Sequence, residues 1–411
     1  MTTLTMWIWG AGTGAKELVD QEFKSFKKNF PEFNLAVSVI PWQDAWDRIM
    51  EASVQGKGPD ILQVGSTWNG MLGHLGMLRD LTDNFYDDGL SGDLFIPSAW
   101  DTCSFPGTES ISSVPWFVDL RPMYYRRDLF NKAGLSANDL STWESFEKGC
   151  EKLKGLEMQD EKIRVLGVSG QQETLLVHNI APWIWSAGGD FLTPDGKKAA
   201  FNSQKALEGI EFYVGLVNKG YLTPDTLKLS TTEIGRQFFD DGIFAIAVPG
   251  PLGISTALDT TNPNYKPEIA GNCMPSLFPA RDGARVVFAG GSNLGITMLA
   301  QHPIEAWEFV KYLISADSQT CYPLEINMMP ALRESFGKVF REEGEEWGGL
   351  RDLLSYSRSF PNSKVWGAME ALLIQGFARI FERIEEEFVD MSIVKDTLDI
   401  IASDVDELLE R

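Results

Sequence analysis

The order of hydrophobic patterns in the first 65 residues constrains the fold most strongly. Leu4, Met6 and Ile8 alternate with Thr5, Trp7 and Trp9, which is the period of a strand. The chain then turns through Gly10-Ala11-Gly12-Thr13-Gly14, and Ala15, Leu18, Val19, Phe23, Phe26 and Phe30 follow helical spacing up to Pro31. Leu35 to Ile40 reads as a second strand. Pro41-Trp42-Gln43-Asp44 opens a second helix, Gly56-Lys57-Gly58-Pro59 closes it, and Asp60 to Val64 reads as a third strand. Such alternation predicts an α/β fold whose sheet is largely parallel and wrapped by helices. Helices are further expected over Gln204 to Val217, Pro303 to Ile314 and from about Phe377 onward, with a strand over Gly242 to Val248. At 411 residues the chain should form two or three compact units, and without a low-complexity linker these should be joined by short strand-like crossings.

Composition narrows the partners. A net charge of −22 makes a surface that repels phosphate backbones and anionic headgroups, so neither nucleic acid nor a membrane surface is expected as a partner. The longest apolar stretch, Ile243 to Ile254, is interrupted by Pro249, Gly250 and Pro251, and a spanning helix needs about 20 continuous apolar residues. The opening Met1-Thr2-Thr3-Leu4-Thr5 has no basic segment, apolar core or cleavage site, so no secretory signal is expected in the sequence as written. Cys103, Cys150, Cys273 and Cys321 lie far apart and read as free thiols rather than a zinc or redox set.

Catalytic templates are poorly served. His74, His178 and His302 have no ligand spacing to one another, so each is expected to have a structural role and no metal is expected. There is no nucleophile elbow or phosphate loop, and Gly10 to Gly14 does not fit the dinucleotide fingerprint, so no cofactor and no catalytic residue is predicted. Carboxylate pairs of the glycosidase kind stay open, because only their separation in space is informative.

Ligands of open α/β sheets lie beyond the carboxyl ends of the strands. Here those ends carry Trp9, Gly10 and Gly12, then Gly65, Ser66, Thr67 and Trp68, then Pro249, Gly250, Pro251 and Leu252. Indole faces beside hydroxyls and exposed backbone suit a sugar, whose C–H face packs on an aromatic ring while its hydroxyls pair with polar groups. Of 13 tryptophans, Trp9, Trp42, Trp68, Trp116, Trp183, Trp185 and Trp366 fall in expected loops or at element ends, where core packing and ligand stacking are both open. Trp7, Trp46, Trp143 and Trp307 sit within periodic elements and are expected to pack.

Taken in order, these segments resemble the extracellular solute-binding proteins of carbohydrate ABC transporters, the family of maltose-binding protein. The matching stretches are Leu4-Thr5-Met6-Trp7-Ile8-Trp9-Gly10, Gly58-Pro59-Asp60-Ile61-Leu62-Gln63-Val64-Gly65-Ser66-Thr67-Trp68 and Leu75-Gly76-Met77-Leu78-Arg79-Asp80-Leu81-Thr82. They continue with Val114-Pro115-Trp116-Phe117-Val118-Asp119, Tyr124-Tyr125-Arg126-Arg127-Asp128-Leu129-Phe130, Trp185-Ser186-Ala187-Gly188-Gly189-Asp190, Phe239-Asp240-Asp241-Gly242, and Gly290-Gly291-Ser292-Asn293-Leu294-Gly295-Ile296.

The resemblance implies a two-lobe fold of the type 2 periplasmic-binding kind with the ligand in a cleft between the lobes. It implies an N-terminal lobe of residues 1–114 and 293–324, a C-terminal lobe of 118–288 and 330–411, and hinge crossings at 115–117, 289–292 and 325–329. Carried over, it makes Trp9, Gly10, Gly12, Trp42, Ser66, Thr67, Trp68 and Trp116 candidate contacts from the first lobe and its crossing. Asp119 falls where relatives place an acid for sugar hydroxyls, with Arg121 beside it, and either can grip a vicinal diol. His178, Trp183, Trp185 and Trp366 fall at stacking positions assigned to the second lobe, and Gly291 and Ser292 at the second crossing. Leu252 stands where maltose-binding relatives carry an aromatic, which argues against maltose. The implied function is capture of an oligosaccharide and its delivery, by a monomer, to membrane permease subunits. Export as a periplasmic or lipid-anchored protein follows from the same resemblance. The rival expectations are a glycan-cleaving enzyme and a binder of a polyol or glycerol phosphate.

Overall fold

A computed structural model describes the chain except residues 1, 11–13, 106, 159–160, 171–174, 251–263, 282, 327, 340–344 and 387–389, and the side chains of 158, 161, 339, 345–348 and 384–386. The chain divides into two compact units: Met1–Asp119, Ala289–Glu342 and Asn362–Trp366 in the first, and Leu120–Phe288, Glu343–Pro361 and Gly367–Arg411 in the second. The first unit is thus built from three stretches. Its return runs past the expected residue 324, and Asn362–Trp366, expected in the other lobe, belongs to it.

The first unit opens with β1 (Thr2–Trp9), α1 (Ala15–Phe26), β2 (Phe33–Ile40), α2 (Trp42–Gln55) and β3 (Ile61–Gly65), the alternation expected from the sequence. After α3 (Asn69–His74) comes β4 (Val114–Arg121), and later stretches supply β9 (Val287–Ile296), α7 (Pro303–Leu313) and β10 (Met329–Pro330). The sheet runs β10-β4-β9-β3-β1-β2. β1 is parallel to β2 and β3, whereas β9 meets β3 antiparallel, with Ser292 opposite Gly65 and Leu294 opposite Gln63.

Helical spacing explains which faces pack. On α2 the buried positions are Ala45, Ile49 and Ala52, and the first two pack with Leu62 and Val64 of β3. On α1 they are Val19, Phe23 and Phe26, whose rings lie 5.3 and 5.1 Å from that of Phe309 on α7. Each such ring, fully buried, contributes about 1.5–3 kcal/mol. α1 stops at Phe26, short of the expected Phe30, as the next residues form a turn in which the Lys27 amide still donates to Phe23.

Asp60, at the amino end of β3, ties three segments together. Its carboxylate accepts from the Thr5 amide and hydroxyl at 2.8 and 2.7 Å, and from the Gln301 and His302 amides at 2.8 and 2.9 Å just before α7. Burial alone would raise its pKa, but these hydrogen bonds outweigh it and hold the carboxyl below the ordinary value.

The principal elements of the second unit are β5 (Met123–Arg126), α4 (Trp143–Leu153), β6 (Arg164–Gly167), α5 (Leu175–Ser186), α6 (Gln204–Asn218), β7 (Phe244–Ala247), β8 (Cys273–Ser276), β11 (Ser357–Arg358), α8 (Trp366–Glu386) and α9 (Met391–Glu410). Its sheet runs β8-β5-β7-β6, and β11 pairs with the start of β9 at Val287 and Phe288. α5 and α6 cross in close contact at Gly209, where a Cβ would fall 2.4 Å from the Trp183 carbonyl oxygen. Expected helices and strands at 204–217, 303–314 and 242–248 appear within about two residues, the usual uncertainty of element ends. The terminal pair begins earlier than expected, at Trp366, because the buried series Trp366, Met369, Leu373 and Phe377 already keeps helical period.

Cys103, Cys150 and Cys273 are buried free thiols and Cys321 is an exposed one. Burial pushes the Cys273 thiol up to about 12 and those of Cys103 and Cys150 higher still. Among the described residues no helix is long and apolar enough to cross a membrane, and no side-chain cluster could hold a metal ion.

Candidate functional site

The carboxyl ends of β1 and β3 gather four indoles within the first unit. Trp9 ends β1, Trp42 opens α2, Trp46 follows one turn later, and Trp68 lies in the turn after β3. Ring centroids lie 6.1 Å apart for Trp9 and Trp68, 6.4 Å for Trp9 and Trp42, 5.4 Å for Trp42 and Trp68, and 5.9 Å for Trp46 and Trp68. Trp42 and Trp46 meet Trp68 at 69° and 70°, the edge-to-face geometry in which a positive ring edge meets a negative face, while Trp9 is tilted at 56° and 57° to Trp42 and Trp68. Gly65 permits this ledge, for a Cβ there would already lie 3.4 Å from Trp68 Cδ2 and 3.7 Å from Trp42 Cζ3. A longer side chain would push both rings away from the strand end.

Exposure differs sharply across the ledge. Trp9 is 4% exposed and supports the others, while Trp42 is 42% exposed. Trp68, Ser66, Thr67, Gly10 and Gly291 are intermediate. The Ser66 amide donates to the Gly291 carbonyl at 3.0 Å, so the loop after β3 is pinned to β9. Asn69, fully buried at the start of α3, donates to the Ser104 carbonyl at 2.9 Å and accepts from Ser112 and Ser113 at 3.0 and 2.8 Å. The same Ser104 carbonyl accepts from Asn362 at 2.6 Å, which docks the segment leading to Trp366 in this unit.

The second unit carries a different cluster, centred on Phe288. The His178 ring stacks on it at 4.4 Å and 18°, the Arg121 guanidinium lies 5.7 Å from its centroid, and Trp185 lies parallel at 6.4 Å. Arg358 sits 4.9 Å over Trp185 and pairs with Asp190 in a short contact. Burial, and then the positive charge of Arg121, hold the His178 pKa well below its usual value, so this imidazole is neutral near pH 7. Glu370 lies 3.4 Å from His178 Nε2. An open hollow of about 600 Å³ beside the cluster is lined by Trp185, Asp190, Thr193, Gln204 and Arg358.

The expected residues therefore fall into groups. Trp9, Gly10, Trp42, Ser66, Thr67, Trp68, Gly291 and Ser292 are brought together in the first unit; Gly12, Pro251 and Leu252 lie outside the described residues. Asp119 and Arg121 are buried on one side of β4, two residues apart. Four tryptophans offer less than expected. Trp183 is 0% exposed, inside α5 and packed on Phe146, Phe212, Tyr213 and Phe278, so it is a core residue rather than a loop indole. Trp185 shares that helix. Trp116 is stacked flat on Tyr322 at 4.5 Å, and its carbonyl accepts from Gln319. Trp366 is fully buried and falls in the first unit instead of the second. α5 carries no amphipathic period because it is buried on nearly all sides, so its spacing does not separate these indoles from loop residues. Trp46, expected to pack, does so against Trp68 in the ledge; sequence reasoning passed over Phe288, Phe360, Arg358 and Glu370, and Gln63, whose only signal is a polar residue inside an apolar strand.

The chain resembles known proteins throughout its length. Residues 10–320 match the family profile of the bacterial extracellular solute-binding proteins. A probable ABC transporter-binding protein of Deinococcus radiodurans is 24% identical over 282 residues, 66% of this chain and 62% of the relative. Among solved structures, the sugar-binding protein MalE of Xanthomonas citri superposes with a TM-score of 0.82 at 21% identity, covering 100% of this chain and 98% of that one. An ABC transporter solute-binding protein of Thermotoga lettingae, bound with α-D-tagatose, gives 0.79 at 22% identity, covering both chains fully. These likenesses establish the α/β two-lobe fold of such proteins for this chain. With a family profile matched over most of its length, the chain belongs to the bacterial extracellular solute-binding protein family.

Proposed function

We propose that this chain is the substrate-binding component of a sugar ABC importer, and that its solute stacks on the indole ledge of the first unit. The observation that carries the reading is the half-exposed Trp42 propped by Trp9 and Trp68, with the partly exposed Ser66 and Thr67 directly before Trp68 in the same turn, in a chain of a solute-binding family. An indole face takes the C–H side of a sugar, and flanking hydroxyls and amides take its oxygens. Asp119, at the end of the first unit's opening stretch, is the further hydrogen-bonding position of this reading. The solute is a carbohydrate, with an oligosaccharide as the first expectation. A monosaccharide or polyol is the second reading, favoured because Trp42 is the one ledge indole with a large exposed area.

The reading makes the chain an exported monomer that hands its solute to permease subunits and returns it chemically unchanged. Calorimetric titration against di- to pentasaccharides, hexoses and pentitols tests it: saturable binding of one class, with the sugar recovered intact, is the expected result. Cleavage of the sugar would establish the enzyme reading instead, and silence across the panel would contradict the proposal.

A further inference from the structure

Trp68 is the one ledge indole in ring contact with the other three: Trp42 at 5.4 Å and 69°, Trp46 at 5.9 Å and 70°, and Trp9 at 6.1 Å and 57°. Trp42 and Trp46 stand four residues apart on α2, so they leave the helix on the same side, and they meet Trp68 at almost the same angle. Below Trp68 lies Gly65, which has no side chain with which to hold the ring from the strand. The plane of Trp68 is therefore set by its neighbouring indoles. A single edge contact lets a ring rock about it, whereas two contacts one turn apart along a helix fix both its place and its tilt.

Trp46 differs from the other indoles. Among the described residues its ring meets Trp68 and no other indole, and it packs, partly buried, on the core cluster that holds Leu62, Val64 and Leu72. It thus spans from the core to Trp68, while Trp42 presents its exposed area to solvent. We propose that Trp46 is a positioning residue of the solute site: it braces Trp68 from the core side and holds that indole, before any solute arrives, in the orientation that takes the C–H face of a sugar. A ring already held in one orientation loses less freedom on binding, so the brace adds affinity through Trp68 and not through contact with the solute. This rests on the sugar-binding reading for the identity of the solute, but the brace itself does not.

The test uses the full chain. Trp46→Leu keeps an apolar side chain but removes the ring, Trp46→Phe keeps an aromatic edge, and Trp46→Met takes the place of Trp46→Leu if that variant does not fold. The first readout needs no solute: fluorine NMR of protein labelled with 5-fluorotryptophan, in which the line that disappears in Trp68→Phe belongs to Trp68. The number and width of its lines are read, and not their position, because loss of a neighbouring ring moves the line by itself. One sharp Trp68 line is expected in wild type and Trp46→Phe, and several or broadened lines in Trp46→Leu. A single line as sharp as that of wild type in Trp46→Leu would overturn the brace.

The second readout is calorimetric affinity for whichever of ribitol, D-mannitol, maltose or D-tagatose the wild-type chain binds. Trp46→Leu should bind about fivefold more weakly, the change that corresponds to about 1 kcal/mol for an aromatic pair, and Trp46→Phe should recover most of that loss. In a Trp68→Ala background Trp46→Leu should change affinity by less than about twofold, since the residue through which it acts is gone. A purely structural role would lower stability in both backgrounds without this dependence on Trp68. Wild-type affinity in Trp46→Leu, an equal loss in both backgrounds, or affinity in Trp46→Phe no better than in Trp46→Leu would each overturn the proposal. A wild-type chain silent towards all four probes would overturn the sugar reading, and the fluorine lines would then decide the brace by themselves.

Discussion

Trp42→Ala is the substitution whose effect can be worked most directly from the structure. The side chain is 42% exposed at the edge of the ledge. A fully covered tryptophan buries up to about 250 Å², so roughly 100 Å² of this ring is free to be covered by a solute. At about 25 cal/mol per Å² that area is worth up to about 2.5 kcal/mol, and a loss of about 2 kcal/mol weakens binding roughly 30-fold. The fold should lose less, about 1–2 kcal/mol, from the tilted contact with Trp9 and the edge-to-face contact with Trp68. Isothermal titration calorimetry with a solute saturating the wild-type chain reads the first quantity, and urea unfolding reads the second. Tyr86→Ala, 54% exposed and with its ring against Phe85, serves as the control and should leave affinity unchanged. Unaltered affinity in Trp42→Ala, or an equal loss in Tyr86→Ala, would refute the stacking argument.

Two further substitutions test how the units are held. Asp60→Asn should destabilise the first unit by about 3–5 kcal/mol, because an NH2 group would face donors now served by a carboxylate. Its folded pKa is depressed, so the stabilisation is present above the unfolded value near 3.9 and is lost as pH falls through the folded one. The urea midpoint of wild type should therefore drop between about pH 4 and pH 2 more than that of the variant, and parallel curves would contradict the role of Asp60. Trp183→Ala should cost the second unit about 3–5 kcal/mol as a core cavity, with solute affinity intact in the folded fraction. Weaker binding without any loss of stability would return Trp183 to the site.

Much of the first unit was legible because its strands and helices each keep one apolar face. Alternation in β1, the Ala45–Ile49–Ala52 stripe of α2 and the Gly56 cap are local signals that survive into the structure, the last with φ 64°. The ledge followed from the same reading, since strand ends fix where Trp9 and Trp68 sit. What the sequence hid depends on long-range packing. Trp183 and Trp185 share a helix buried on all sides, so nothing in their spacing separates core from surface. The count of aromatics therefore overstated the stacking surface and with it the argument for a long glycan. Phe288 became a hub only when β9 brought it against His178, Arg121 and Trp185. Gln63 makes the same point on a smaller scale: its partners, the Trp9 amide and the Ser292 hydroxyl, are 54 and 229 residues away along the chain.

The most direct test of the central claim is a titration of intrinsic tryptophan fluorescence with a panel of sugars and polyols, run on wild type and on Trp42→Ala. The account predicts a saturable change with one solute class in wild type and a markedly weaker midpoint in the variant. A response of the same midpoint in both proteins would contradict stacking on the ledge, and no response to any member of the panel would contradict carbohydrate as the solute.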